Sequence, residues 1–158
     1  MTTQDEYFLR EAIALAKRGM EANEGGPFGA LVVRDGQIIG RGNNRVTSTN
    51  DPTAHAEVVA IRAACAALDS FQLTDCTIYS SCEPCPMCLG AIYWARPARL
   101  VYACSREDAA AIDFDDDFIY REIPLPAEER SIPTEQALRE EGRVVFRAWR
   151  DKTDRQDY

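Results

Sequence analysis

The sequence predicts a three-layer α/β/α domain with a central mixed sheet that begins with an antiparallel hairpin. Two short apolar runs, 30–34 and 37–41, flank Asp35-Gly36, a dipeptide typical of two-residue hairpin turns. After this hairpin, helix-like and strand-like segments alternate along the chain, as they do in layered α/β proteins. The length of 158 residues favours one domain, covering residues 1–158.

Two helices are predicted in the first half of the chain. Apolar side chains recur at helical spacing between residues 6 and 21, and Gly-Gly-Pro at 25–27 ends that segment. A polar loop covers residues 42–53, and a second helix runs from Ala54 to Leu68. The hairpin therefore lies between two helices that can cover a sheet.

The second half contains shorter elements, each bounded by proline or polar residues. The pattern predicts strands at 77–79 and 100–103 and helices at 85–94, 107–112 and 134–141, with 144–149 ambiguous and 152–158 a polar tail.

Composition limits the partners and the compartment. Lys and Arg number 18 against 26 Asp and Glu, so the net charge of −8 argues against a polyanionic substrate. No apolar run approaches the roughly 20 residues of a membrane helix, and the first residues do not resemble a signal peptide. Six cysteines without an export signal are expected to be thiols or metal ligands, which makes the cytoplasm the expected location.

Two segments carry the residues of a metal site. His55 lies at the start of one predicted helix, and Cys85 and Cys88 lie one turn apart at the start of another. Cysteines at this spacing share a helix face, so both sulfurs can reach one Zn²⁺ ion. Three protein ligands leave the fourth tetrahedral position for water, which is typical of catalytic zinc.

Glu57 is the candidate proton carrier beside this metal. Hydrolytic removal of an amine requires that protons move to a ring nitrogen and to the departing amine. Histidine is not available for this role, because His55 is the only histidine in the chain. Together, H-x-E and P-C-x-x-C form the signature of zinc-dependent nucleobase deaminases.

Cys82 leaves a structural alternative open. Cys82, Cys85 and Cys88 are evenly spaced, so a Cys₃His structural zinc site would use the same segment. Glu83-Pro84 separates Cys82 from the predicted helix, which favours the three-ligand catalytic site.

The sequence closely resembles the bacterial guanine deaminases, which have the cytidine deaminase-like fold. The early motifs are shared by many deaminases, whereas the late ones are typical of the guanine branch. The motifs are Gly-Gly-Pro-Phe-Gly-Ala at 25–30, Asn43-Asn44, residues 50–57 and 81–96, Asp115-Asp116-x-Phe118-Ile119-Tyr120, and Ala148-Trp149.

This resemblance implies a reaction and a set of substrate contacts. Guanine would be hydrolysed to xanthine and ammonia by zinc-activated water, with Glu57 as the proton shuttle. Asn44 matches an asparagine that hydrogen-bonds the purine ring, and Asp116 matches a second carboxylate that engages guanine and assists proton transfer to the leaving amine. The remaining substrate-binding positions implied are Phe28, Ala56, Trp94 and Tyr158.

The resemblance also implies a quaternary structure. The family is dimeric, and its C-terminal segment, about 131–158 here, is exchanged between subunits. Tyr158 would then close the site of the partner subunit.

Three other functions remain open from the sequence. A transfer-RNA adenosine deaminase shares H-A-E and P-C-x-x-C, although the charge of −8 disfavours an RNA substrate. A deaminase of another small aminated ring, such as cytosine or an aminotriazine, would use the same chemistry. A zinc-stabilised interaction module would need neither Glu57 nor an open metal position.

Overall fold

The computed structural model describes residues 1–114 and 116–158, and these form two compact units. The first unit covers Met1–Asp116 and the second covers Asp117–Tyr158. Asp115, part of one motif named above, lies outside the described residues. Each unit is described by itself below.

A four-stranded sheet forms the centre of the first unit. The strands are β1 (Gly29–Arg34), β2 (Gln37–Asn43), β3 (Thr77–Cys82) and β4 (Arg99–Cys104), in the order β2-β1-β3-β4. β1 pairs antiparallel with β2 and with β3, whereas β3 and β4 are parallel. The predicted mixed sheet with an antiparallel first hairpin is confirmed.

The hairpin turn follows from its two residues. Asp35 and Gly36 have φ angles of 50° and 74°, and a type I′ turn requires positive φ at both central positions. Arg34 pairs directly with Gln37 across this turn, and a register shift follows between Val32 and Val33.

The helices of the first unit agree with the prediction to within a few residues, apart from one short addition. α2, a single turn in the predicted polar loop, was not expected. The helices are α1 (Thr3–Glu21), α2 (Val46–Thr49), α3 (Ala56–Leu68), α4 (Pro86–Ala95) and α5 (Arg106–Ala110). Within the described parts of the chain, no helix is long and apolar enough to cross a bilayer.

Two buried clusters, one on each face of the sheet, make the unit three-layered. Side chains alternate along a strand, so Ala30 and Val32 of β1 pack with α3 and α4, whereas Leu31 and Val33 pack with α1. β3 divides in the same way, because Ile78 belongs to the first cluster and Tyr79 to the second. The predicted α/β/α layering is confirmed.

The second unit contains short helices and one longer one. α6 covers Asp117–Glu122, a 3₁₀ turn covers Ala127–Glu129, and α7 covers Arg139–Asp151. The predicted helix at 134–141 is therefore wrong over 134–138, and the ambiguous segment 144–149 is helical. The acidic pair Glu140-Glu141 lies in the first turn of α7, where negative charge stabilises the start of a helix.

Candidate active site

His55 is held at the start of α3 by a tight turn. The Asp51 carboxylate accepts hydrogen bonds from the backbone N–H and the hydroxyl of Thr53, at 2.8 and 2.7 Å. These bonds fix the chain two residues before His55, which occupies the N-cap position of α3. The His55 side chain makes no capping hydrogen bond, so the imidazole is available as a ligand.

Cys85 has the corresponding place on α4. It is the N-cap residue, Pro86 follows at the first helical position, and Cys88 lies in the first turn. Proline is favoured there because its fixed φ suits a helix start and it has no N–H to satisfy. Like His55, Cys85 makes no capping bond with its side chain.

These three side chains meet in a geometry that fits zinc. The possible ligand atoms of His55, Cys85 and Cys88 all lie within 4.8 Å of one another. The Cys85 sulfur lies 3.5 Å from Nδ1 of His55. A nitrogen and a sulfur bound to one tetrahedral Zn²⁺ ion are about 3.6 Å apart, so this pair already has the required spacing.

Of the two cysteine ligands, Cys85 is the one whose surroundings favour the thiolate. Hydrogen bonds from the Cys88 thiol and the His55 ring lower the pKa of Cys85 below the usual range of a thiol, against the opposing effect of burial. The Cys88 pKa is raised, first by this bond to Cys85 and then by burial. The His55 pKa is raised mainly by the same Cys85 contact, with smaller contributions from Glu57 and Asp116.

Cys82 is separate from this cluster. It is buried at the end of β3, and its thiol donates to the carbonyl of Ser105 at 3.3 Å. Among the described residues, the group able to hold a metal consists of His55, Cys85 and Cys88 only. All six cysteines are free, as expected for thiols and metal ligands, while the cytoplasmic location stays a prediction.

Glu57 lies in the first turn of α3, two residues after His55. Its side chain is 6% exposed, and burial raises the pKa of its carboxyl, although hydrogen bonds from its own backbone N–H and from Cys88 oppose this effect. The Ser80 hydroxyl donates to Oε1 of Glu57 at 3.2 Å. The sequence reasoning missed Ser80, although alternation along β3 places it on the same face as Ile78, beneath α3.

Asn44 is fixed by the backbone around it. Its Oδ1 accepts hydrogen bonds from the N–H groups of Gly26 and Val46, both at 3.2 Å. A Cβ atom at Gly25 would lie 2.3 Å from this oxygen, so the close approach requires glycine. With Oδ1 held in this way, the amide N–H groups are the part of Asn44 that can address a substrate.

Two aromatic rings meet near this loop. Phe28 and Phe114 pack edge to face, with centroids 4.9 Å apart and an interplanar angle of 89°. Nothing in the local sequence pattern identified Phe114, because it lies in an acidic run that is typical of a solvated loop. Asp116, in the same run, is half-buried, and its charge acts on His55.

The other three expected contacts differ in their surroundings. Ala56 is fully buried, and because its methyl side chain has no polar atom, a polar contact to a substrate would come from its backbone. Trp94 is 65% exposed and lies six residues beyond Cys88, about 9 Å along α4. Tyr158 belongs to the second unit, where it is 68% exposed.

Comparisons with known proteins agree with this site. Residues 2–104 match the family described as the cytidine and deoxycytidylate deaminase zinc-binding region. That segment contains His55, Glu57, Cys85 and Cys88, and zinc is accordingly the metal of this family.

The relatives include a match over the whole chain. A guanine deaminase of Bacillus subtilis (strain 168) is 57% identical over 97% of this chain and 98% of its own length. The X-ray structure of guanine deaminase from Bacillus subtilis superposes with a TM-score of 0.95, at 56% identity, covering 100% of this chain and 99% of that one.

Other relatives match a smaller share of the chain. A structure of guanine deaminase from Nitrosomonas europaea has a TM-score of 0.66 at 35% identity, over 69% of this chain and 63% of its own. A tRNA-specific adenosine deaminase of Aquifex aeolicus is 42% identical over 62% of this chain and 64% of its own length. The chain thus belongs to the guanine deaminases, within the zinc-binding family of cytidine and deoxycytidylate deaminases.

Proposed function

We propose that this protein hydrolyses guanine to xanthine and ammonia. The observation that carries this proposal is the 57% identity to a guanine deaminase over 97% of the chain. That match continues past residue 104, where the zinc-binding region ends. The tRNA-specific relative, in contrast, matches only 62% of the chain, so the full-length similarity favours guanine.

The metal would be held by His55, Cys85 and Cys88. When bound there, zinc lowers the pKa of a coordinated water molecule, so that hydroxide is available near neutral pH. Cys85 and Cys88 also lie at the N-terminus of α4, where the helix dipole stabilises the negative charge of a thiolate.

Glu57 carries the protons of the reaction. It takes one proton from the attacking water and delivers it to N3 of the purine as the C2–O bond forms. It then takes the remaining proton from the new hydroxyl on C2 and delivers it to the amine as the C2–N bond breaks. The water oxygen becomes the 2-oxo group of xanthine, and the amine leaves as ammonia. A buried carboxylate whose pKa is raised is suited to taking up and releasing a proton.

Four residues supply contacts to the purine. Asn44 donates from its amide N–H groups to an acceptor on the ring, because its oxygen is already occupied. Asp116 accepts from N1–H and the 2-amino group, which are adjacent donors on guanine, and it assists the departure of the amine. The Phe28 ring offers a surface for stacking, and Ala56 contributes its backbone N–H.

In this proposal the protein is a homodimer, and its C-terminal segment, about 131–158, is exchanged between the subunits. The units Met1–Asp116 and Asp117–Tyr158 then belong to one deaminase domain. Tyr158 then reaches the partner's site, and Trp94 lies near the pocket. Supporting this, the unit Asp117–Tyr158 is fully described and has no buried residue, and a unit so short rarely folds alone. On α7, Val144, Val145, Phe146 and Trp149 are all exposed.

Mixed dimers test the exchange. Glu57→Gln and Tyr158→Ala chains, each of low activity alone, are co-expressed with different tags and the mixed dimer is isolated. In an exchanged dimer, one of the two sites combines the intact Glu57 of one chain with the intact Tyr158 of the other, and about half of the wild-type activity per dimer returns. Without exchange, no intact site forms and activity stays low.

Substrate assays test the reaction. Zinc-loaded protein is offered guanine, guanosine, adenine, cytosine, cytidine and a transfer RNA, and ammonia release is measured with product identification. We expect ammonia from guanine, in equal amount to xanthine. Release from the RNA alone would replace guanine with a tRNA adenosine substrate, and release from cytosine alone would indicate another small ring. Silence on every substrate with zinc bound would favour a non-catalytic module.

A further inference from the structure

Ser80, a hydroxyl-bearing residue outside the family motifs discussed above, contacts the proton carrier Glu57. Ser80 lies in the middle of β3, paired with Ala30 of β1 on one side and with Tyr102 of β4 on the other. Its side chain is 2% exposed and donates to Oε1 of Glu57 at 3.2 Å. Because β3 is an interior strand, hydrogen-bonded on both sides, the backbone that carries this hydroxyl is held in place.

We propose that Ser80 is a positioning residue for deamination: its hydroxyl holds Oε1 of Glu57 and thereby directs Oε2 toward the water and the purine. The inference rests on the proposed function, in which Glu57 carries the protons. Glu57 has three rotatable side-chain bonds, and an unheld carboxylate would sample orientations that are not productive. When Oε1 is held by Ser80, Oε2 also has a defined position, so the carboxylate has to move less during proton transfer.

The chemistry of a hydroxyl suits this position. Ser80 donates to Glu57 when the carboxylate is ionised, and a serine hydroxyl can also accept when its partner carries a proton. The contact therefore persists through both protonation states of Glu57. An arginine or lysine at the same place would stabilise only the ionised state and would hinder proton uptake.

The adjacent residue provides a matched control. Ser81 has the same side chain on the same strand and is 6% exposed. Because side chains alternate along a strand, it points to the other face, where its oxygen accepts from the N–H of Gly29 at 3.0 Å. Ser80→Ala and Ser81→Ala thus remove the same atom from neighbouring buried sites, and only the first removes a contact to Glu57.

Steady-state kinetics on guanine test the proposal with the zinc-loaded full chain. We expect Ser80→Ala to lower kcat roughly 10- to 100-fold, the range for losing a hydrogen bond to a charged group, with KM and zinc content nearly unchanged. Ser81→Ala should keep kcat within about twofold per folded, zinc-loaded chain. Ser80→Thr, which retains a hydroxyl, should recover most of the kcat lost in Ser80→Ala.

A double variant identifies Glu57 as the residue through which Ser80 acts. In a Glu57→Gln background, Ser80→Ala should cause no further loss of the residual rate, because coupled residues are not additive. Equal kcat losses for Ser80→Ala and Ser81→Ala, a full additional loss in the double variant, or an unchanged kcat in Ser80→Ala would each overturn the proposal. Failure of the proposed function itself looks different, because the wild type would then release no ammonia from guanine.

Discussion

Asp5 and Glu57 are both buried carboxylates, but their surroundings differ. Asp5 is 1% exposed on the α1 face of the sheet, and Glu57 is 6% exposed on the α3 face. Consecutive residues of β3 contact them: the Tyr79 hydroxyl donates to Asp5 at 2.8 Å, and the Ser80 hydroxyl donates to Glu57.

The difference between the two sites is that Asp5, unlike Glu57, is paired with a cation, Arg99. The two terminal nitrogens of the Arg99 guanidinium, Nη1 and Nη2, donate to Asp5 at 2.7 and 3.0 Å. This contact, with smaller contributions from Thr2 and Tyr79, holds the Asp5 pKa well below its usual range. At Glu57, burial is the largest influence, and the pKa is raised. A buried carboxylate paired with arginine remains an anion and connects elements, whereas one held by a hydroxyl can exchange a proton.

The largest expected effect is that of Glu57→Gln on turnover. The amide is nearly isosteric with the carboxylate but cannot carry protons. We therefore expect kcat for guanine to fall by about 10²- to 10⁴-fold. Zinc content and thermal unfolding should stay close to those of the wild type, because a neutral side chain is easier to bury. Ammonia release, metal analysis and a thermal melt check these points. Turnover within tenfold of the wild type would contradict the assigned role.

Asp5→Asn should show the opposite pattern. The variant loses the paired charge that joins α1 to β3 and β4, so the unfolding midpoint in urea should fall clearly. The kcat of the folded protein should change little, because Asp5 lies on the other face of the sheet. Glu6→Gln is the control, since Glu6 forms an exposed ion pair with Arg10 on the same helix, and such pairs contribute little. An equal loss in both variants would refute a special role for Asp5.

The stability difference between wild type and Asp5→Asn should depend on pH. A carboxyl whose pKa is lowered on folding stabilises the protein fully above its unfolded pKa, about 4. This contribution declines as pH falls from there toward the lowered pKa of the folded state. Urea titrations of both proteins between about pH 2 and 7 should therefore converge on the acid side. A constant difference across this range would indicate that Asp5 acts through packing alone.

Tyr79→Phe is expected to have a smaller effect. It removes one donor from the ionised Asp5 while the contacts from Arg99 and Thr2 remain, so the loss of unfolding free energy should be about 1.5 kcal/mol, the lower end of the range for a hydrogen bond to a charged group. The Tyr79 pKa, raised to about 12 by burial and by Asp5, keeps this hydroxyl a donor throughout the usual pH range. Denaturant unfolding measures the change, and kcat serves as the internal control.

Cys82→Ser should have the smallest effect on the metal. Cys82 is the last residue of β3 and lies outside the ligand cluster of His55, Cys85 and Cys88, so the zinc content should be unchanged. Cys85→Ser and Cys88→Ser, in contrast, should lose zinc. Metal analysis after exhaustive dialysis distinguishes them, and loss of zinc from Cys82→Ser would revive the Cys₃His structural site.

The parts of the fold that were predicted correctly depend on local signals. Asp35-Gly36 specified the hairpin turn, and apolar spacing outlined α1 and α3. The ligand cluster was predictable because Cys85 and Cys88 are one helical turn apart and because H-x-E and P-C-x-x-C occur together.

The contacts that were missed are non-local. Ser80 and Glu57 are separated by 23 residues, and Arg99 and Asp5 by 94. Neither pair can be recognised from the spacing of residues in the sequence, because each contact depends on which face of the sheet each helix covers. The start of α7 was misplaced for a different reason: its acidic first turn was interpreted as the end of an earlier helix.

The uniqueness of His55 provides a spectroscopic probe. A protein with one imidazole gives one set of ring resonances in ¹⁵N-correlated NMR spectra, and no assignment by mutagenesis is needed. Since Nδ1 is the ring atom that faces Cys85, coordination there would leave the hydrogen on Nε2, and the two nitrogen shifts report that tautomer directly. Occupancy of the metal centre, ligand substitutions and inhibitor binding can therefore all be followed from a single signal.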